Sequence, residues 1–163
     1  MASTMKFTLF LSLFLLILTG CRTTTGHYMG ALADVEGTKK LAINALQSQR
    51  WQDLYLQVDS LLERQGDEFY VTGHYSFAQH PQMMYTRAAH FTLTLFLLDD
   101  HDRVVGYRTA SSFGMLRTSD RMSFSVSLPI VADVSAYTFG YEVTFIDEDG
   151  AAHVQWHLPR TAR

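Results

Sequence analysis

The sequence predicts a mainly β fold, an antiparallel β-sandwich of six to seven strands. Three observations predict it. Apolar and polar residues alternate in several segments, most regularly in residues 122–130, where Met, Phe, Val, Leu and Ile alternate with Ser and Pro. Turn-forming residues such as those at 147–150 separate these segments. Aromatic residues make up 13% of the chain, which supplies large rings for a core between two sheets.

The chain begins with a short apolar segment that is typical of a secretory signal peptide. Lys6 is the only charged residue before Cys21, and residues 7–18 are Phe, Leu and Ile with single Thr and Ser interruptions. This run is shorter than the roughly 20 residues that a membrane-spanning helix needs. A basic start, a short apolar run and small residues after it predict a signal peptide over residues 1–20.

Residues 18–21, Leu-Thr-Gly-Cys, resemble the lipobox of bacterial lipoproteins. The resemblance implies cleavage between Gly20 and Cys21, acylation of the Cys21 sulfur and acylation of the new amino group, so that a lipid anchor would hold the protein on a membrane. Arg22 follows, where lipoproteins kept at the inner membrane often have Asp, and the resemblance therefore favours the outer membrane, facing the periplasm. The alternative is an ordinary cleaved signal that leaves a free thiol. Because Cys21 is the only cysteine, that alternative would give an exported protein with one unpaired thiol, which is unusual.

The segments between the signal and the first clear strand are predicted differently. Residues 21–30 are small and polar and suit a lipidated tether. Residues 31–50 hold helix-forming Ala, Leu, Lys and Gln, which predicts a helix over about 37–49. Residues 51–63 fit both a helix face and strand alternation; we favour a first strand, with a continuing helix as the alternative.

The remaining chain is predicted to form the sandwich domain, residues 51–159, followed by a tail at 160–163. A proline ends or marks the edge of a strand because it cannot donate to a sheet hydrogen bond, so Pro129 and Pro159 are expected to end strands. The alternating segments that we interpret as strands are residues 69–77, 89–97, 104–109, 122–130, 137–145 and 154–158.

The order of these segments resembles the immunoglobulin-like sandwiches of bacterial envelope proteins, such as FxLYD-type domains. The segments that carry the resemblance are FTLTLFLLDDHDRVVG (91–106), SFSVSLP (123–129) and YTFGYEVTFIDEDG (137–150). Residues 101–103 depart from the pattern, because the family usually has a Gly in that turn. The resemblance implies an immunoglobulin-like module for binding or assembly, with no catalytic residues to carry over. The residues that match the family pattern are Leu98, Asp99, Asp100, Val104, Val105, Phe124 and Pro129.

Composition and motifs narrow the class of function. The formal net charge is −3 and Lys and Arg are not clustered, which argues against a nucleic-acid partner. The sequence has no nucleophile elbow and no phosphate-binding Gly loop, so we expect neither an enzyme nor a cofactor. We expect a lipid-anchored envelope protein that binds or assembles with another envelope protein. A ligand- or metal-binding lipoprotein and a secretion-system lipoprotein subunit are the alternatives.

Two sets of residues are candidates for a site. His153 and His157 lie four apart and would share one face of a strand, and with His74 and His90 they could bind Zn²⁺ or Cu²⁺; the alternative is that all four are ordinary exposed histidines. We expect this face to lie opposite the apolar residues of the same strand, Val154, Trp156 and Leu158.

The second candidate set lies in two predicted links between strands, at residues 79–87 and 111–120. Exposed Met and aromatic side chains are good contact residues in protein interfaces. The alternative is that these side chains cap the ends of the sandwich core. The candidate interface residues are Met83, Met84, Tyr85, Phe113, Met115 and Leu116.

Overall fold

The computed structural model describes residues 27–34, 37–41 and 46–160. The predicted signal peptide, the Gly20–Cys21 cleavage site, the first part of the tether and residues 161–163 lie outside the described residues. Among the described residues, no helix has the length and apolar character needed to cross a membrane.

Nine strands and one short helix account for most of the part of the chain that is described. The helix, α1, is Gln79–Met84 and lies between the fourth and fifth strands. The strands are β1 (Lys39–Lys40), β2 (Gln47–Gln52), β3 (Leu56–Gln65), β4 (Glu68–Phe77), β5 (Arg87–Leu98), β6 (Val104–Arg117), β7 (Arg121–Pro129), β8 (Ala136–Ile146) and β9 (Ala152–His157).

These strands form two antiparallel sheets, which confirms the predicted β-sandwich. The four-stranded sheet has the order β2-β3-β4-β7. In the five-stranded sheet, β6 pairs with β5 and β5 with β8; the other side of β8 pairs with β1 and, further along, with β9. The chain crosses between the sheets after β1, β4, β6 and β7. As predicted, β7 ends at Pro129, and it lies at the edge of its sheet.

Aromatic rings from both sheets form the main core. The Phe91 ring in β5 contacts Tyr75 and Phe77 in β4, with ring centroids 4.9 and 5.6 Å apart. The Phe124 ring in β7 meets Phe139 in β8 edge-on at 5.7 Å. Each such pair contributes about 0.5–1.5 kcal/mol beyond the burial of its area. The predicted role of the aromatic residues is therefore confirmed.

A second apolar layer covers the outer face of the five-stranded sheet. Phe96 and Leu98 in β5 point away from the main core, yet both are fully buried. The Tyr28 ring packs edge-on against Phe96 at 5.3 Å, and Ala31 is buried beside them. The backbone N–H of Gly30 donates to the Val104 carbonyl at 2.8 Å. Residues 27–30, predicted to be part of a tether, therefore belong to the folded domain.

The prediction of a helix over residues 37–49 is wrong for the described part of that range. Lys39–Lys40 is a strand, and β2 occupies Gln47–Gln52. β2 pairs along its whole length with β3, and Trp51 within it is buried in the core. Pairing and burial override the helix propensity of Gln and Lys, which is worth only tenths of a kcal/mol per residue, about 0.7 at most. The favoured strand within residues 51–63 is confirmed, and it begins at Leu56.

The predicted link over residues 111–120 is also wrong. β6 continues to Arg117, opposite Arg87 in β5, and only residues 118–120 form the turn to β7. Residues 109–112 are Thr-Ala-Ser-Ser, which show no apolar alternation, yet they belong to β6 and pair with β5 around a register shift. The other link, residues 79–87, contains α1.

The packing around Gly73 gives a test of the register of the four-stranded sheet. A β-carbon at Gly73 would overlap the Asp59 carbonyl oxygen and lie 3.0 Å from the Phe124 ring. Gly73→Ala should therefore lower the free energy of unfolding by about 1–3 kcal/mol in urea denaturation. Gly114→Ala in β6 is the control, since a β-carbon there meets no atom within 4 Å. Equal effects of the two substitutions would contradict the described packing.

Candidate functional site

One end of the sandwich carries exposed apolar side chains on a short helix. We call this end, formed by α1, residues 53–55, residues 118–120 and residues 147–150, the helix end. Met83 is 77% exposed, and Met84 and Leu54 are also exposed. The structure therefore places two of the predicted interface residues on an open surface and adds Leu54 at the same end.

The core-facing side of α1 is held by packing and by a hydrogen bond, although its methionines are exposed. Pro81 is buried, and the Gln82 side-chain amide donates to the Phe77 carbonyl at 2.6 Å. The Tyr85 ring stacks on Phe145 with centroids 4.9 Å apart. The predicted interface residue Tyr85 therefore packs against the core and supports the helix. The two methionines project to solvent from a helix whose position is fixed by these contacts.

The second predicted interface segment does not join this surface as a loop. Leu116 is buried in the main core and Phe113 is half-buried against it. Their role is the alternative one, filling the core. Met115 is exposed, at a position of β6 opposite Ala89 in β5.

The structure does not bring the four candidate histidines together. His74 lies in the four-stranded sheet, opposite Asp59 and Ser123 of the neighbouring strands. His90 is in the five-stranded sheet, at a register irregularity of β5 where φ is 50°. His74 therefore lies in one sheet, and the other three candidate histidines lie in the other sheet. The predicted four-histidine metal site has no geometric support.

One group of three metal-ligating residue types occurs among the described residues, and it contains none of the candidate histidines. It consists of Asp99, Asp100 and His101 in the turn between β5 and β6. Asp99 Oδ1 accepts hydrogen bonds from the backbone N–H groups of Arg103 and His101, both at 2.9 Å. These bonds hold the pKa of Asp99 below its usual value, with the bond from Arg103 the largest cause. Asp99 therefore closes the turn.

The two histidines of β9 share one face, as predicted, but this face points toward the sandwich. The His157 ring lies 5.4 Å from Trp51 and stacks on Tyr141 at 6.3 Å. Val154 and Trp156 lie on the opposite side of the strand, as predicted, and are 58% and 63% exposed. The alternative that the candidates are ordinary exposed histidines is therefore wrong for His157, because its ring packs between the Trp51 and Tyr141 rings and lies beside the Asp53 carboxylate.

A carboxylate that the sequence analysis missed joins the two sheets at the helix end. Asp53 Oδ1 accepts hydrogen bonds from the backbone N–H groups of Tyr55 and Leu56, at 2.8 and 2.7 Å. Its Oδ2 accepts a hydrogen bond from the Tyr141 hydroxyl of β8 at 2.7 Å. His157 Nδ1 lies 3.9 Å from the same oxygen. We call Asp53, Tyr141 and His157 the corner cluster.

The corner cluster acts as a clamp between the sheets. Burial, and then the hydrogen bond to Asp53, raise the pKa of the Tyr141 hydroxyl. The phenol therefore stays protonated and remains a donor at neutral pH. The bond ties the turn before β3 to β8 in the other sheet.

Comparison with known proteins supplies no family. No family model matches the chain, and no curated protein matches it. Among solved structures, the chain is similar to Spo0M, the sporulation control protein from Bacillus subtilis, with 16% sequence identity and a TM-score of 0.26. The similarity covers 67% of this chain and 50% of that chain, so this chain matches half the length of Spo0M. No conclusion about function is drawn from it.

The clamp can be tested by a double-mutant cycle on Tyr141 and Asp53. Tyr141→Phe removes the donor to a carboxylate, and we expect it to lower the free energy of unfolding by about 1.5–3 kcal/mol. Combined with Asp53→Asn, which keeps an acceptor for the turn, the two effects should be non-additive.

The control for this cycle is Tyr55→Phe. It removes a hydroxyl from the same end of the sandwich but none of the hydrogen bonds described for Asp53. We expect a change of about 0.5 kcal/mol or less. Additive effects of the Tyr141 and Asp53 substitutions in urea denaturation would show that the two side chains are not coupled.

Proposed function

We propose that the protein is a lipid-anchored envelope protein whose β-sandwich is a non-enzymatic binding or assembly module for another envelope protein. The observation that carries this proposal is that one folded domain has a lipobox-like sequence before it and an exposed apolar surface at its helix end. A lipobox-like sequence with the only cysteine, Cys21, precedes the domain. At the helix end, Met83 and Met84 form an exposed apolar surface on a fixed support.

The segment by which the described chain enters the domain and the helix end lie near opposite ends of β5. The segment that leads from the anchor packs beside the turn that follows β5, where the Ala33 N–H donates to the Asp102 carbonyl at 2.9 Å. The helix end lies at the start of β5, next to Arg87. β5 has 12 residues, and a strand rises about 3.3 Å per residue, so the two places are roughly 36 Å apart. A partner can therefore reach the helix end without displacing the anchor.

The anchor would keep the domain close to its membrane. His27, the first described residue, lies six positions after Cys21 in the chain. A fully extended chain of that length spans about 20 Å. The partner in this proposal is therefore itself in or near the same membrane, which for a lipoprotein with Arg after the cysteine is the outer membrane, on its periplasmic side.

Methionine suits the proposed contact at the helix end. Its side chain is unbranched and flexible, so it adapts to a partner surface and makes favourable contacts with aromatic rings. Exposed Met is enriched in protein interfaces relative to the rest of a protein surface. Because buried Pro81 and the Gln82–Phe77 hydrogen bond already hold α1 in place, its backbone loses little conformational entropy on binding.

Crosslinking in intact cells followed by purification of the protein tests this function. The wild type should capture a defined envelope protein. The double substitution Met83→Gln and Met84→Gln should reduce that capture roughly tenfold, as expected for the loss of a central contact. Cys21→Ser exported with a cleavable signal should lose the partner as well, because the domain is no longer held at the membrane.

The matched control is Leu61→Gln, which changes an exposed apolar side chain on the four-stranded sheet. It should leave capture unchanged. If the double methionine variant captures the same partner as the wild type, the helix end is not the interface. If Cys21→Ser behaves as the wild type does, the anchor has no part in the function.

A further inference from the structure

A second exposed apolar surface lies on the outer side of the five-stranded sheet. It consists of Leu32, Val154 and Trp156, and we call it the tryptophan face. Trp156 and Val154 are among the most exposed large apolar side chains of the described residues, and Leu32 is 43% exposed. Isolated exposed apolar residues are ordinary, but a group of them on one surface indicates an interaction.

These side chains form one surface because β9 and the entering chain run side by side. Leu32 and Trp156 line the same groove of about 360 Å³. The Leu32 and Arg160 backbones exchange hydrogen bonds of 2.9 and 2.8 Å, which fixes the entering chain beside the end of β9. Val154 lies two residues before Trp156 and therefore on the same side of the strand.

The occupant of this surface is indicated by where the chain enters the domain. Leu32 belongs to the segment that packs on the outer side of the sheet, and it lies 11 positions after Cys21 in the chain. His27 lies six positions after Cys21. Acyl chains on Cys21 would thus lie within about 20 Å of His27, on the side of the domain that carries the tryptophan face.

We propose that the tryptophan face rests on the membrane that holds the acylated Cys21, with the Trp156 ring in the interfacial layer of the bilayer. The inference rests on the proposed lipid anchor and deepens it by giving the domain an orientation. Trp is enriched at membrane–water interfaces because its ring is amphipathic. Leu32 and Val154 add apolar contact beside it, so the lipid anchor and this face together hold one side of the domain against the bilayer.

The charges around the face indicate which lipid chemistry it uses. Arg160 and Asp34 both line the groove, and Glu142 lies opposite Trp156 on β8. Because both signs are present, the contact depends on the apolar interface of the bilayer and not on anionic headgroups. Contact should therefore be equally strong on zwitterionic and on anionic vesicles.

The orientation has a consequence for the rest of the domain. The outer side of the four-stranded sheet, which carries Tyr70 and Leu61, faces away from the membrane. In this orientation the helix end points along the membrane surface and not away from it. Met83 and Met84 would meet a partner that stands in the same membrane.

Tryptophan fluorescence of the full acylated protein tests the inference, because the chain has two tryptophans. Trp51 is buried in the core and Trp156 is exposed. The protein is reconstituted in vesicles of phosphatidylcholine with brominated acyl chains, which quench nearby tryptophans, and in vesicles that also contain phosphatidylglycerol. We expect loss of up to roughly half of the emission, since one of two tryptophans would be in the interface.

Two variants make this test specific. Trp156→Phe should remove the quenching and leave the emission of Trp51. Tyr70→Trp in the Trp156→Phe protein places an exposed reporter on the opposite sheet, and it should not be quenched. Loss of quenching in Trp156→Phe together with an unquenched reporter at position 70 supports the proposed orientation.

Other outcomes overturn the inference, and they differ from failure of the anchor. If the protein floats with the vesicles but Trp156 is unquenched, or if the reporter at position 70 is quenched equally, the orientation is wrong. If Trp156 is shielded from aqueous iodide yet unquenched by bromine, a protein covers the face instead of lipid. If the protein does not float with vesicles at all, the lipid anchor fails, and with it the proposed function.

Discussion

The rest of the structure depends on how the outer face of the five-stranded sheet is buried. Phe96, Leu98 and Val104 are almost completely buried, although Phe96 and Leu98 point away from the main core. The segment from Tyr28 to Ala33 supplies the cover through ring packing and backbone hydrogen bonds. Leaving such side chains exposed would cost about 1.5–3 kcal/mol for each one. The sheet therefore requires the chain to enter the domain along this face.

This constraint links the proposed N-terminal lipid anchor to the proposed orientation of the domain. A chain that entered at a loop tip would let the sandwich turn freely on its tether. Here the entering segment is part of the fold, so the proposed anchor would join the domain at a fixed point on one face. The Asp53–Tyr141 bond ties the two sheets together, and α1 is held separately by buried Pro81 and by the Gln82–Phe77 hydrogen bond. The point at which the chain enters and the position of α1 are thus both set within one folded domain.

Much of the fold could be predicted because strand alternation is plain where one face of a strand meets water. Met122, Phe124 and Val126 in β7 are such a case. The prediction failed where other forces decide. β2 is rich in Gln and Ser and is held by pairing with β3 and by burial of Trp51, neither of which leaves a local pattern. β6 continues through residues with no alternation because β5 supplies its partners.

The candidate site was predictable only in part, for a similar reason. Met83 and Met84 stood out because apolar residues beside a proline in a link between strands are conspicuous. The sequence predicts that the histidines of β9 lie opposite Trp156, but it does not predict that His157 faces the core, since hydrophobicity alone places Trp inside. Asp53 and Tyr141 are 88 positions apart in the chain, and only the packing of one sheet on the other brings them together.

The lipid anchor is the central claim, because both the membrane-near position and the orientation of the domain follow from it. The intact mass of the protein extracted from membranes with detergent tests it most directly. We predict the mass of the chain beginning at Cys21, increased by a thioether-linked diacylglyceryl group and an amide-linked acyl group. A chain that still carries residues 1–20, or one that begins at Cys21 with a free thiol, would contradict the account.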